Sequence, residues 1–459
     1  MSEHRGLSKK RVVINGAGLS GALLACLLCQ SGFRVELIEK RQDPRKYGFN
    51  SGRSINLALA DRGVHALELA GLSDEVLKRA VPMYGRMVHH SHTVAELHRY
   101  GLNKEKIWSI NRGELACCLL DAAESAGANI RFGSQIEQMD FQAKMVLISS
   151  GEQLTYELLV GADGADSVVR KHLTSQIDLG VQTFPLAHGY KELEIPAAKD
   201  GSFQLYPNAL HIWPKGGFMC IALPNANGSF TVTLFLPHET EDSEDLCAFS
   251  MLQDGEKARN FFNTNFSDAS ELIENLEKDF DHNPTGKLKT LRVERWQAFD
   301  SVVLVGDAAH PMVPFHGQGM NCALEDVVTL VESLTLHPSQ QSEALQEYER
   351  KRKPNAYAIQ EMALENYREM RHCVSTKSYL LERDLSNWIA ERYPEKFIPR
   401  YSLVTFSRVS YEFAYKQGQS QRELLKRFTK DCHTFDEIDL SAVAKAVNEE
   451  LCEFSRDVY

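Results

Sequence analysis

The chain has 459 residues, 43% hydrophobic and 25% charged, with a formal net charge of −11. That length can bury the cores of two or three domains, and the composition is that of a soluble globular protein. The acidic balance argues against nucleic acid as a partner, because gripping a phosphate backbone needs a basic face, and the ten scattered cysteines suggest no disulfide framework, which fits a reducing cytoplasm.

The first predicted elements organise the rest. Arg11–Asn15 reads as a buried strand, Gly16-Ala-Gly18-Leu19-Ser-Gly21 as a glycine turn opening an apolar helix, and the run from Phe33 as a second strand ending in Glu39. Each glycine has a mechanical reason. Gly16 permits the tight turn, Gly18 lets a pyrophosphate touch the backbone, and Gly21 lets the helix pack close to the strand. The helix N-terminus offers N–H groups to phosphates, and Glu39 sits where a carboxylate accepts from ribose hydroxyls. This pattern predicts dinucleotide binding. The uncharged run Val12–Phe33 is broken by Asn15, the glycines, Gln30 and Ser31, so no membrane span is predicted, and the basic start leads into a fold motif rather than a cleavage site. Cys26 and Cys29 lie inside the helix and read as core residues.

Next come a polar segment from Gln42 to Gly52, a helix over 61–70, a second over 74–80, and short strands at 86–89 and 96–100. His89, His90 and His92 read as a solvated loop. A helix is predicted over 112–126 and strands at 129–132, 135–141, 145–149 and 154–160. Val160-Gly161-Ala-Asp163-Gly164 then runs into a helix with Asp166 and Ser167 as caps, leaving Ser167 and Arg170 free to face a phosphate.

From about Leu179 the texture becomes an antiparallel sheet, with strands at 188–195, 202–206, 210–214, 218–223 and 230–236 and hairpin signals at Lys215-Gly216-Gly217 and Asn225–Gly228. Two polar helices are predicted at 256–265 and 269–281. Ser301–Val305 is a buried strand ending in Gly306-Asp307, and Gly317-Gln-Gly319-Met320-Asn321 opens a long helix aimed at a phosphate or flavin edge. Asp307 can accept from ribitol or ribose hydroxyls, or cap a helix. The remainder is helical, over 343–371, 379–391, 421–430 and 440–451. No metal, Ser-His-Asp or paired-carboxylate constellation stands out.

With the first glycine motif, Gly161-Ala-Asp163-Gly164 and Gly306-Asp307 in that order, the chain resembles FAD-dependent aromatic hydroxylases of the para-hydroxybenzoate hydroxylase type. Finer matches resemble the branch of that family that hydroxylates kynurenine: Gly52-Arg53-Ser-Ile-Asn-Leu-Ala-Leu59, Arg86-Met-Val-His89, His188–Glu192, Leu210–Pro214, Pro314–Asn321, Glu365-Asn366-Tyr367 and Phe397–Phe406. The resemblance covers about residues 10–410 and weakens after that.

The resemblance implies an α/β fold: a Rossmann-type FAD-binding domain with an inserted antiparallel-sheet substrate domain and a C-terminal helical region. The implied boundaries are 1–178 and 286–341 for the FAD-binding parts, with 84–101 joining the substrate sheet, 179–285 for that sheet and 342–459 for the helices. It implies FAD contacts at Gly16, Gly18, Leu19, Gly21, Ile38, Glu39, Lys40, Arg41, Ala58, Arg112, Asp163, Asp307, Gly319, Met320 and Asn321. Arg86 corresponds to the arginine that grips the substrate carboxylate, and Tyr100, Asn366 and Tyr401 to other substrate positions. Phe235, Phe315 and Met370, with Met219, Ile221, Leu223 and Pro314, are candidates for an apolar wall around the ring, with plain sheet core as the alternative, and His316 can reach the substrate or make a structural hydrogen bond.

The implied reaction is NADPH-dependent hydroxylation of L-kynurenine to 3-hydroxy-L-kynurenine by O₂, through a flavin C4a-hydroperoxide, in tryptophan degradation. Another small aromatic substrate is the alternative. The chain has no second GxGxxG, so NADPH is expected to dock transiently by Asp163-Gly164. No Trp-x-Trp-x-x-Ile motif supports a halogenase. Mitochondrial members of the branch end in an apolar anchor, whereas the tail here is polar, which implies a bacterial-type cytoplasmic form with no membrane partner. A homodimer is compatible with the sequence.

Overall fold

The computed structural model describes residues 10–48, 56–90, 94–100, 105–240, 247–372, 377–451 and 453–454. Arg53, His92 and the side chain of Met370 lie outside the described residues. A six-stranded sheet forms the base of the nucleotide end. Its strand order is Gln297–Ala298, Val302–Leu304, Leu158–Gly161, Arg11–Asn15, Arg34–Glu39 and Asn129–Phe132. All neighbours are parallel except the first pair. Such strands are covered on both faces and read as continuous apolar runs, as Val12-Val13-Ile14 and Leu158-Leu159-Val160 do. Helices Leu19–Gln30, Arg112–Ser125 and Gly319–Leu336 share the core with them.

The turn after the first strand is as tight as its glycines predict. Gly16 has φ 103°, and a Cβ there would lie 2.6 Å from the Ala162 carbonyl oxygen. A Cβ on Gly21 would lie 1.9 Å from the Gly16 oxygen, so the helix seats against the turn only with glycine.

The second sheet has seven strands, in the order Gly286–Arg292, Gln182–Ile195, Phe230–Pro237, Met219–Pro224, Leu210–Pro214, Gly85–Val88 and Glu96–Arg99. It is antiparallel except where Leu210–Pro214 runs parallel to Gly85–Val88. That pairing carries Arg86 into the sheet from the other end of the chain. Helices Gly255–Asn265, Ser267–Leu272 and Leu276–His282 cover one face over a phenylalanine-rich core. A three-stranded sheet over residues 56–111 and another over 136–155 complete the β-structure. The C-terminal helices have their own core, including Leu385, Phe397, Leu424 and Val447. Among the described residues no helix is long and apolar enough to cross a membrane.

Several expectations change. The stretch expected as one strand over 154–160 is two, in different sheets. Buried Tyr156 bonds through its N–H to Lys144 O, and Glu157 N–H to Arg11 O, where the chain crosses over. Ser202–Tyr206 is not a strand; Phe203 and Leu205 alternate because they pack on the core. The inserted sheet runs on through Arg292, beyond the expected end at 285. The helix expected over 269–281 is broken between Leu272 and Leu276. The helix expected from Gln421 starts at Tyr411, capped by Ser410, and contains Gly418. A further helix, Arg400–Thr405, carries Tyr401. His89 is not a solvated loop residue: it stacks on Trp213 with ring centres 4.1 Å apart and bonds to Asp268 and His211.

Candidate active site

A cleft of about 2130 Å³ runs from the glycine turn to the C-terminal helices. At its nucleotide end lie Gly16, Gly18, Leu19, Ile38, Glu39, Lys40 and Arg41. Gly18 precedes the helix, and no atom lies within 4 Å of where its Cβ would stand. Glu39 accepts from the N–H groups of Ala17 and Arg41, both at 2.9 Å. Each carboxylate oxygen takes one of these bonds and keeps a second lone pair for a ligand hydroxyl.

Ala58, Arg112, Asp307, Gly319 and Met320 line the middle. Asp307 is exposed to the open cleft but crowded by the protein around it, which leaves it less well hydrated than a surface carboxylate. That desolvation raises its carboxyl pKa, against the pull of His310 and Arg112. Two expected contacts lie elsewhere, and a third is already engaged. Gly21 and Asn321 do not face the cleft. The Asn321 side chain instead ties the turn at 317–321 to the strand at 56–59, donating to the Ala58 and Gly317 carbonyls and accepting from Ala60 N–H. Asp163 borders the cleft, but its oxygens accept from Asn15, Ser167 and the amides of Val168 and Val169, so it caps the next helix. Ser167 and Arg170 are not free for a phosphate. Both are buried, and Arg170 donates to the Ala308 and Ala165 carbonyls. Asp166 pairs with Lys289 at 2.8 Å and caps nothing.

The far end is aromatic. Arg86, Tyr100, Phe235, Phe315, His316, Asn366 and Tyr401 all line it, with Met219, Ile221, Leu223 and Pro314. The Arg86 guanidinium lies 4.6 Å from the Tyr401 ring centre and 6.0 Å from that of Tyr100. The Tyr100 and Tyr401 rings stack at 5.6 Å, and Tyr401 stacks on His316 at 5.7 Å. The Tyr100 hydroxyl faces Tyr401 and Arg86, and His316 Nδ1 is a buried polar atom with no hydrogen-bond partner. Such atoms are costly unless a ligand or water satisfies them. Burial, helped by the Arg400 charge, pushes the His316 pKa down to about 3, so its ring is neutral. Burial pushes the Tyr100 phenol up, so it stays a donor.

The sequence did not single out the chain of contacts behind this wall. His188 Nε2 donates to Gly217 O at 2.8 Å, so its Nδ1 accepts from the Tyr367 hydroxyl, also at 2.8 Å. Tyr367 in turn packs on Phe315. Both residues fall within quoted motifs, and that was their one signal. Among the described residues, His310, Cys322 and Asp326 stand close enough to share a metal, but Arg352 already bonds to the Asp326 carboxylate at 2.7 Å.

The cleft thus joins a nucleotide cradle to a small aromatic pocket with Arg86 at its edge. A model of the FAD binding domain family matches residues 9–363. Solved structures with this fold include the tetrameric form of 2-methyl-3-hydroxypyridine-5-carboxylic acid oxygenase, at TM-score 0.65 and 22% identity, covering 81% of this chain and 95% of that one. Pseudomonas aeruginosa PqsL in complex with 2-aminobenzoylacetate matches at TM-score 0.64 and 24% identity, over 79% of this chain and 97% of the other. Family model and fold together define an FAD-binding protein with the fold of these oxygenases. The open backbone at Gly18 fits the pyrophosphate of FAD, and the free lone pairs of Glu39 fit its ribose.

Among curated relatives, kynurenine 3-monooxygenase of Stenotrophomonas maltophilia (strain K279a) is 45% identical over 450 residues, 97% of this chain and 98% of the relative. The same enzyme of Xanthomonas axonopodis pv. citri (strain 306) is 45% identical over 451 residues, with the same coverage. The chain belongs to the kynurenine 3-monooxygenase family.

Proposed function

We propose that the chain hydroxylates L-kynurenine to 3-hydroxy-L-kynurenine, a step of tryptophan degradation, with NADPH as transient electron donor and O₂ as oxidant. One oxygen atom enters the ring, the other leaves as water, and NADPH supplies the two electrons. The observation that carries this reading is Arg86 beside two stacked tyrosines, with the unpartnered His316 Nδ1, at the far end of a cleft that begins at a nucleotide turn.

Bound FAD supplies the oxygen-activating chemistry, and the protein supplies binding, orientation and a dry pocket. Arg86 grips the amino-acid carboxylate. Tyr100, Tyr401 and Asn366 complete the polar end. Phe235, Phe315 and the apolar residues beside them exclude water from the ring, which limits wasteful release of peroxide. The substrate's ortho-amino group activates its own ring, so no protein base is required. Neutral His316 has an unpartnered Nδ1 that can bond to substrate. Gly16, Gly18, Leu19, Ile38 to Arg41, Ala58, Arg112, Asp307, Gly319 and Met320 hold the cofactor.

Mass spectrometry after incubation with NADPH, O₂ and kynurenine tests the reading. The expected product is kynurenine plus one oxygen, with NADPH consumption that rises on adding kynurenine. Consumption indifferent to kynurenine, with no oxygenated product, overturns it.

A further inference from the structure

Asn366 and Tyr401 reach the aromatic end of the cleft from two different helices, Gln341–His372 and Arg400–Thr405. Their immediate chain neighbours, Glu365 and Arg400, form an ion pair. Each of these side chains is only 13% exposed, so water screens the pair little. The other oxygen of Glu365 accepts from Gln419 Nε2 at 2.9 Å. Arg422 lies 3.5 Å from the same carboxylate and also pairs with Glu369, one turn further on. Gln419 and Arg422 belong to a third helix, Tyr411–Thr429. Three helices therefore converge on the carboxylate of Glu365.

The third helix is shaped to admit the arginine. Gly418 stands buried in its interior, where glycine is disfavoured unless packing demands it. A Cβ there would lie 2.4 Å from Cδ of Arg400 and 2.9 Å from its Cγ. These are stem atoms, so Arg400 could not swing its tip aside and keep Glu365. The two residues beside the ion pair also flank one turn of the pocket. Asn366 Nδ2 donates to Phe315 O at 3.4 Å, and Tyr401 stacks on His316.

We propose that Glu365 and Arg400, with Gly418 as the seat for the arginine stem, are positioning residues for the substrate. They fix the spacing of Asn366 and Tyr401 across the turn at 314–316, and act through those two side chains. The inference rests on the proposed function, since it takes Asn366 and Tyr401 as substrate contacts. Errors of about 1 Å in such a constellation are costly to rate and coupling.

The test uses the FAD-loaded holoenzyme and its Glu365→Gln, Gly418→Ala and Arg400→Lys variants. Flavin content, melting temperature, kynurenine affinity from the flavin absorbance change, KM, kcat and peroxide yield are measured. Glu365→Gln and Gly418→Ala are expected to bind kynurenine about tenfold more weakly and to release more peroxide at full flavin occupancy. Arg400→Lys, which keeps the charge but not the fork, is expected to fall between them and wild type. Unchanged affinity and coupling in Glu365→Gln and Gly418→Ala, beside a responsive wild type, overturns the positioning role alone. So does a loss that merely follows flavin content and melting temperature. A wild-type flavin spectrum that ignores kynurenine overturns the functional reading and this inference with it.

Discussion

The guanidinium of Arg86 lies 4.6 Å from the ring centre of Tyr401. Arg86 is on a strand near the edge of the inserted sheet, and Tyr401 is on a short helix of the C-terminal region. The wall beside them, Pro314 to His316, comes just before the helix that flanks the nucleotide sheet. The pocket is built where three separate parts of the chain meet, so substrate binding reports on their assembly.

Arg86→Ala removes the charge at the polar end of the pocket. A charge-assisted hydrogen bond contributes about 1.5–3 kcal/mol, so kynurenine affinity should fall roughly 10- to 100-fold. Arg86→Lys should recover only part, because a point charge cannot copy a bidentate fork. Steady-state KM and flavin-perturbation titrations check this. Wild-type affinity in Arg86→Ala would place the carboxylate site elsewhere.

Gly18 and Gly21 separate ligand space from folding space. A Cβ on Gly18 meets nothing within 4 Å, whereas one on Gly21 meets the Gly16 oxygen at 1.9 Å. Gly18→Val should therefore fold and lose FAD, because its branches occupy the pyrophosphate position. Gly21→Val should fail to reach the native fold. Circular dichroism and the flavin absorbance of purified protein distinguish them. A yellow, fully occupied Gly18→Val would show that the pyrophosphate does not pass this turn.

Acid should destabilise the fold through two buried histidines. Burial lowers the pKa of His211 from 6.5 to about 4, and that of His316 to about 3. Between pH 6.5 and these values the unfolded chain binds protons that the folded chain refuses, so stability falls with falling pH. Each group contributes at most about 1.4 kcal/mol per pH unit in its window. His211 faces His89, which bonds to Asp268. Burial of Asp268 opposes its ionisation, but hydrogen bonds from His89 and Trp213 outweigh it and hold its pKa near about 2, so it stays anionic throughout. Melting temperatures from pH 7 to pH 4 should decline, less steeply in His211→Gln. Parallel slopes would count against His211.

The nucleotide turn was legible because Gly16 answers to its own positive φ and Gly21 to the Gly16 oxygen close by in the chain. The alternation of the inserted sheet was legible for the same local reason. What stayed hidden depends on partners far along the chain. Asp163-Gly164 looks the same in sequence whether its carboxylate faces a ligand or caps a helix, and here Asn15 and Ser167 take it up. The crossing at Tyr156 is invisible because no turn residue stands between Gln153–Thr155 and Leu158–Gly161. Gly418 hid the start of its helix, since its reason is the stem of Arg400.

Tyr401 combines a ring and a hydroxyl whose losses should differ. Its ring stacks on Tyr100 and His316, meets Phe406 edge-on at 6.0 Å, and lies beneath the Arg86 guanidinium. Tyr401→Phe keeps all of these contacts and deletes one neutral hydrogen bond, typically about 0.5–1.5 kcal/mol net, so affinity should fall roughly two- to tenfold with coupling preserved. Tyr401→Ala removes the ring between Tyr100 and His316. Water then reaches the pocket and peroxide yield should rise sharply. Because the flavin cradle lies at the other end of the cleft, flavin content should stay full in both variants. Flavin absorbance, melting temperature, kynurenine KM and peroxide yield, measured side by side, check the split. If Tyr401→Ala melts earlier but keeps wild-type KM and coupling, Tyr401 is packing and the polar end of the substrate lies elsewhere. If Tyr401→Phe uncouples as badly as Tyr401→Ala, the hydroxyl and not the ring keeps the pocket dry.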